Sequence, residues 1–215
     1  MISTLGAGLA TAASLLLAVP AAPVSGAQAV SVPPPGRITI SVASVNGSGC
    51  RPGSAAVSVA PDNTAFTVTY SEYLAQAGGG SKPADSRRNC QIALRVHVPH
   101  GYTYAIASAD YRGFASLGRQ ATGVQQAGYY FQGFPETYRR THTFNGPLND
   151  NWQATDQVAV GALVYAPCGA ERNFNINTEL RATTRNAAAD PVSFMAMDST
   201  DASINTIYNF AWKQC

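Results

Sequence analysis

Apolar and polar residues alternate one by one along much of this chain. Between Cys90 and Pro99, Ile92, Leu94, Val96 and Val98 share one parity, and Gln91, Ala93, Arg95 and His97 share the other. A period of two belongs to a β-strand with one covered face and one wet face. That is the mark of an antiparallel sheet rather than a parallel one buried on both sides. Pro99 has no N–H for a ladder and Gly101 lets the chain reverse, so residues 99–101 predict a turn. Tyr102, Tyr104 and Ile106 then alternate with Thr103, Ala105 and Ala107, which predicts a second strand and a central hairpin.

The same reading extends in both directions. Residues 37–45 predict a first strand. Residues 55–60 and 65–71 predict a hairpin around Pro61-Asp62-Asn63-Thr64, where Pro presets φ and Asp and Asn bond their own backbone. Residues 72–77 predict a helical turn, and the glycines that follow a flexible loop. Residues 114–131 are less regular, with a strand near Tyr129-Tyr130-Phe131. Residues 138–144 alternate, residues 145–152 read as a turn-rich loop, and residues 158–166 read as a near-continuous apolar strand. Residues 173–183 alternate cleanly, with Phe174, Ile176, Thr178 and Leu180 against Asn175, Asn177, Glu179 and Arg181. Residues 192–197 and 204–212 predict a last hairpin around Asp198-Ser199-Thr200-Asp201. About ten short strands with frequent turn signals predict an all-β fold. The expected architecture is a single antiparallel β-sandwich, jelly-roll-like, with a closed barrel as the alternative.

The N-terminus supplies an address. Residues 9–19 form an apolar run too short for a bilayer, which needs about 20 residues. Small residues and Ala27-Gln28-Ala29 follow, in the form of an A-x-A cleavage site, although no Lys or Arg precedes Arg37. Residues 1–29 therefore read as a secretory signal, residues 30–36 as a Pro-rich linker, and residues 37–215 as the domain. Charged residues make up 12% of the chain, against about 25% in an ordinary domain. The wet faces must therefore be built mainly from Ser, Thr, Asn, Gln and Gly. A net charge of +2 makes no case for nucleic acid or a membrane surface, and a monomer is expected.

Cys50, Cys90, Cys168 and Cys215 are the only cysteines, an even number in a chain read as exported, which implies two disulfides. Three pairings are possible. Cys50–Cys90 and Cys168–Cys215 are favoured because each encloses a compact run of strands, and loops of this length contribute on the order of 3–4 kcal/mol each. Metal binding lacks any C-x-x-C spacing. Ser48 and Cys50 in GSGCR distantly resemble the nucleophile segment of L,D-transpeptidases, but the His-Gly of that pattern stands far downstream at His100-Gly101.

Other chemistry is sparse. His97-x-x-His100 spans a strand end and a turn, and His142 is the third histidine. No H-E-x-x-H is present, and no cofactor is expected. Asp198 and Asp201 share a turn that could offer calcium some of its six or more oxygen ligands; the plainer reading is Asx capping. Glu72, Asp110, Glu136 and Glu179 are candidate carboxylates for a hydrolase, which would need two of them facing across a cleft. Tyr102, Tyr104, Tyr129, Tyr130 and Trp152 are candidate sugar-stacking residues, if they line an exposed face rather than fill the core.

Long stretches of the chain resemble a family of small secreted proteins of unknown function from actinobacteria and filamentous fungi, domain of unknown function family 4360. The resemblance rests on PPPGRITISVASVNGSGC, APDNTAFTVTYSEYLAQAG, NCQIALRVHVPHGYTYAIASADYRG, YYFQG, APCGAERNFNINTELR and SFMAMDSTDASINTIYNFAWKQC. It implies export and a shared fold carrying the four cysteines, and brings no catalytic residues. The functional expectation is a secreted non-catalytic module that binds polysaccharide or a cell-wall surface. An extracellular hydrolase, and a secreted inhibitor or effector of another protein, are the alternatives.

Overall fold

The computed structural model describes residues 32–135, 138–197 and 205–215. The expected signal segment lies outside them, as do Glu136, Asp198 and Asp201. Twelve strands are formed by the described residues: β1 Thr39–Asn46, β2 Ala55–Val59, β3 Ala65–Tyr70, β4 Leu74–Ala77, β5 Arg87–His97, β6 Tyr102–Leu117, β7 Thr122–Phe131, β8 Tyr138–Asn145, β9 Leu148–Gln157, β10 Asn173–Thr183, β11 Ser193–Ala196 and β12 Thr206–Gln214. A five-stranded sheet runs β1-β5-β10-β7-β8. The second sheet has seven strands centred on β6. One edge of β6 pairs with β12 and then β11, leading out to β3-β2 and β4; its other edge pairs with β9. All pairings are antiparallel, and the two sheets pack as a β-sandwich.

The inward parity of each strand fills the space between the sheets. Ile92 and Leu94 from β5, Phe174, Ile176 and Leu180 from β10, and Phe66, Val68 and Tyr208 from the opposite sheet are all fully buried. Phe66 stacks on Tyr208 with ring centroids 4.9 Å apart, and Phe174 meets Phe131 at 5.4 Å. Cys50 is bonded to Cys90 and Cys168 to Cys215, the favoured pairing, with Cα separations of 5.3 and 5.8 Å.

Five local expectations are corrected. The residues around Gly101 do not close a hairpin. β5 lies in the five-stranded sheet and β6 in the other, so residues 98–101 cross the sandwich. Such a crossing spans about 10 Å, within reach of four residues. Residues 74–77 form an edge strand, not a helical turn, with Ala75 and Ala77 inward. Four residues cannot repay helix nucleation, whereas a strand gains a ladder at once. Residues 148–157 form a full strand along β6. Its inward residues Trp152, Ala154 and Asp156 keep a period of two that the polar Asn-Asp-Asn run masks. Residues 158–166 are not a strand. Val158 N–H and Ala166 N–H donate to Ala107 and Tyr104 carbonyls on the β6 edge, while the chain between them loops out and leaves Val160 81% exposed. A run apolar at every position suits a strand covered on both faces, and a two-layer edge offers only one.

The last two strands also differ from a hairpin: β11 and β12 lie end to end on the same edge of β6. Within the Pro-rich linker, Pro34 and Gly36 are tied to the loop between β2 and β3. The Asn63 side-chain amide donates to the carbonyls of Pro34 (3.2 Å) and Gly36 (2.8 Å), and Asn63 holds the left-handed conformation at φ 58°.

Candidate functional site

The candidate aromatic residues divide by strand parity. Tyr104, Tyr129 and Trp152 point into the sandwich and are 3%, 4% and 4% exposed, so none can stack on a sugar. This corrects the expectation for all three. Tyr104 packs against Phe131 and Phe210, each at 5.4 Å. Tyr129 stacks on Tyr138 at 5.0 Å, and Trp152 meets Phe144 at 5.2 Å. The rings share the core with large aliphatic side chains such as Ile92, Leu94, Ile176 and Leu180. Tyr102 and Tyr130 are half-buried and belong to different sheets, so they do not form one strip. Burial pushes the phenols of Tyr70, Tyr73, Tyr111 and Tyr208 well above the ordinary tyrosine range, which keeps them neutral and rules them out as acid–base groups near neutrality.

The other candidates are scattered. Cys50 is disulfide-bonded, so it cannot be a nucleophile. His97 is exposed, with Nδ1 3.8 Å from Glu171 Oε1. His142 on β8 meets Asp156 on β9, Nε2 to Oδ1 2.7 Å, which joins the edge of one sheet to the edge of the other. No three His, Cys, Asp or Glu side chains converge as metal ligands among the described residues. Glu72 pairs with Arg51 in the turn before β4. Asp110 accepts the Thr155 hydroxyl (2.6 Å) on the outer face of the seven-stranded sheet, and Glu179 lies on the outer face of the other. These acids do not face one another across a cleft.

What the structure does bring together is the outer face of the five-stranded sheet. Register aligns Asn46, Gln91, Asn177, Gly128 and Arg139 in one row across five strands. The next row holds Asn89, Glu179, Gln126 and Thr141, with the Gln126 amide donating to the Thr141 hydroxyl at 2.7 Å. On the other side, Ser44, Ala93, Asn175 and Tyr130 align, and beyond them Ser41, Arg95 and Asn173. Ala93 and Gly128 have little or no side chain, so they leave low points between the amides. The one visible signal was the polar parity of residues 173–183; the joining of β7, β8 and β1 to it follows from strand order, which no local pattern carries.

Residues 36–215 match the family model described as Domain of unknown function (DUF4360). The chain belongs to this family. An uncharacterized secreted protein of Arthroderma benhamiae is 33% identical to it over 187 residues, which covers 86% of this chain and 75% of the relative. The DUF4360 protein described here is likewise a secreted one, and its two disulfides are of the kind that persist outside the cell.

Electrostatics give the outer face of this DUF4360 domain its detail. Glu179 sits between Arg87 and Arg181, which both donate to its carboxylate. Burial alone would raise the Glu179 pKa, but the two arginine hydrogen bonds and their charges outweigh it, so the carboxyl is held below its ordinary value of 4.5. The glutamate is thus a fixed anion that orients two arginines, whose side chains remain 63% and 48% exposed. Such a surface can donate and accept hydrogen bonds on a flat, rigid lattice. Among the described residues, its strands set no two carboxylates opposite each other.

Proposed function

We propose that this secreted β-sandwich is a non-catalytic module that binds polysaccharide through the outer face of the five-stranded sheet. The observation that carries the reading is the cross-strand array of side-chain amides formed by Asn46, Gln91 and Asn177, flanked by Asn89 and Gln126. Each amide offers a donor and an acceptor, which is the pairing a sugar hydroxyl needs. The strands hold them at about 4.8 Å spacing across the sheet and cost no ordering of backbone on binding. Residues 1–29 act in this reading as the secretion signal, cleaved near Ala27 or Ala29.

The test is a pull-down of the oxidised, secreted protein on chitin, cellulose, peptidoglycan, fungal wall and pectic polymers. Retention that is lost in Gln91→Ala/Asn177→Ala, with thermal unfolding unchanged, supports the reading. No retention on any of these surfaces defeats it. Retention indifferent to the two substitutions removes this face from the function.

A further inference from the structure

We infer that the polymer this face takes is acidic, a polyuronate whose carboxylates meet the arginines while its hydroxyls meet the amides. The inference rests on the polysaccharide reading above and specifies its ligand. Among the described residues, the outward positions of the five strands hold Arg87, Arg95, Arg139 and Arg181 against Glu179, with Glu171 beside the exposed His97 at the Arg95 end. On these strands arginine outnumbers acid, in a protein whose net charge is only +2. Arginine is the side chain whose planar fork matches a carboxylate with two parallel hydrogen bonds.

The aromatic residues argue in the same direction. Recognition of a neutral glycan by ring stacking needs exposed aromatic faces, and among the described residues this surface offers the half-buried Tyr130 alone. Charge and amides are what remains to bind with.

The spacing separates a uronate polymer from a nucleic acid. Arg87 and Arg181 are direct cross-strand partners at one end of the sheet. Arg95 lies eight residues along β5 from Arg87, about 26 Å away at a strand rise of about 3.3 Å. Arg139 shares its row with Gln91, four residues from Arg95 and three strands across, a diagonal of about 20 Å. The charges therefore stand at the borders of a patch whose interior is amide. A duplex with one phosphate per ~1.7 Å rewards clustered Lys and Arg, not this dilution. A polymer with one carboxylate and free hydroxyls on each sugar presents both groups that the face is built to meet.

The experiment uses the secreted, disulfide-intact protein with polygalacturonate, the same polymer after carboxyl reduction, dextran sulfate and duplex DNA, read by affinity electrophoresis and calorimetry. The expected result is binding to polygalacturonate that falls at least tenfold on carboxyl reduction and at 0.5 M salt. It falls tenfold again in Arg95→Ala/Arg139→Ala, and only partly in Arg95→Lys/Arg139→Lys, with all thermal transitions unchanged. These two arginines are chosen because neither orients Glu179. Equal binding of the native and reduced polymers, or binding indifferent to both double variants, overturns the acidic ligand and leaves the polysaccharide reading standing. Dextran sulfate or DNA held as tightly as polygalacturonate overturns carboxylate selectivity. Silence towards these polymers and every surface of the pull-down overturns both.

Discussion

Removing the two disulfides one at a time should separate an effect on the unfolded chain from an effect on the folded one. The bridges span sequence separations of 40 and 47, so the loop-entropy relation assigns each about 4 kcal/mol of destabilisation of the unfolded state. On that ground alone Cys50→Ala/Cys90→Ala and Cys168→Ala/Cys215→Ala should be equally damaging. Their native surroundings differ. Cys50 and Cys90 are 2% and 1% exposed and pack in the core, whereas Cys168 and Cys215 are both exposed. Truncating two buried sulfurs leaves two methyl-sized gaps at about 1 kcal/mol each. The first pair should therefore cost about 2 kcal/mol more than the second. With a urea dependence of about 2 kcal/mol/M for a domain of this size, the midpoints should lie about 1 M apart. Urea unfolding of the three proteins, followed by tryptophan fluorescence, reads this directly. Equal midpoints would mean that the sites repack without loss. A lower midpoint for the Cys168/Cys215 variant would refute the reasoning, because it would show that pinning the end of β12 matters more than burial.

Three further perturbations have definite signs. Glu179 has a depressed pKa, so its contribution is complete above the ordinary value of 4.5 and is lost as pH falls through the lower folded-state value. Urea midpoints should drop in that acid range for the wild type and drop less for Glu179→Gln. His142→Ala leaves the Asp156 carboxyl, 2% exposed and with no hydrogen-bond partner for Oδ2 among the described residues, without its contact across the sheets. A loss of about 1–3 kcal/mol is expected at pH 7, and a double-mutant cycle with Asp156→Ala should return a coupling above 0.5 kcal/mol. A Cβ on Gly113 would strike the Ala196 carbonyl and the Trp152 indole, so Gly113→Ala should cost about 1–3 kcal/mol by thermal unfolding.

Period two was enough to find most strands, because inward and outward residues of β5 and β10 differ so sharply in polarity. It failed where an inward position is polar, as at Asp156 on β9, and where an apolar run has no second layer to enter, as at residues 158–166. It could not assign strands to sheets. Residues 90–107 look like a hairpin from composition alone, since a Pro-His-Gly corner serves equally well to turn back within a sheet or to step across to the other. The aromatic candidates failed for a related reason: parity says that Tyr102 and Tyr104 share a face, but only strand order says that the face is the inside. The amide face was half visible, in Asn175, Asn177, Glu179 and Arg181, and became one continuous surface only when β1, β5, β7 and β8 were laid beside them.

In the proposed reading, a sandwich that places its rings in the core is limited in how tightly its outer face can bind a polysaccharide. Tyr104, Tyr129 and Trp152 are buried in the interior, which leaves the wet face to amides and arginines. A net hydrogen bond contributes about 1 kcal/mol, and charge-assisted ones about 1.5–3. A handful of such contacts, less the cost of immobilising a flexible polymer, comes to affinities between millimolar and micromolar for one face. On a polymer or a wall that weakness is workable, because many identical sites lie within reach and the protein rebinds before it diffuses away. The face should accordingly bind long polymers far better than short oligomers of the same sugar. A trimer that binds as tightly as the polymer would mean instead that a closed, high-affinity pocket exists, which an open sheet face cannot supply.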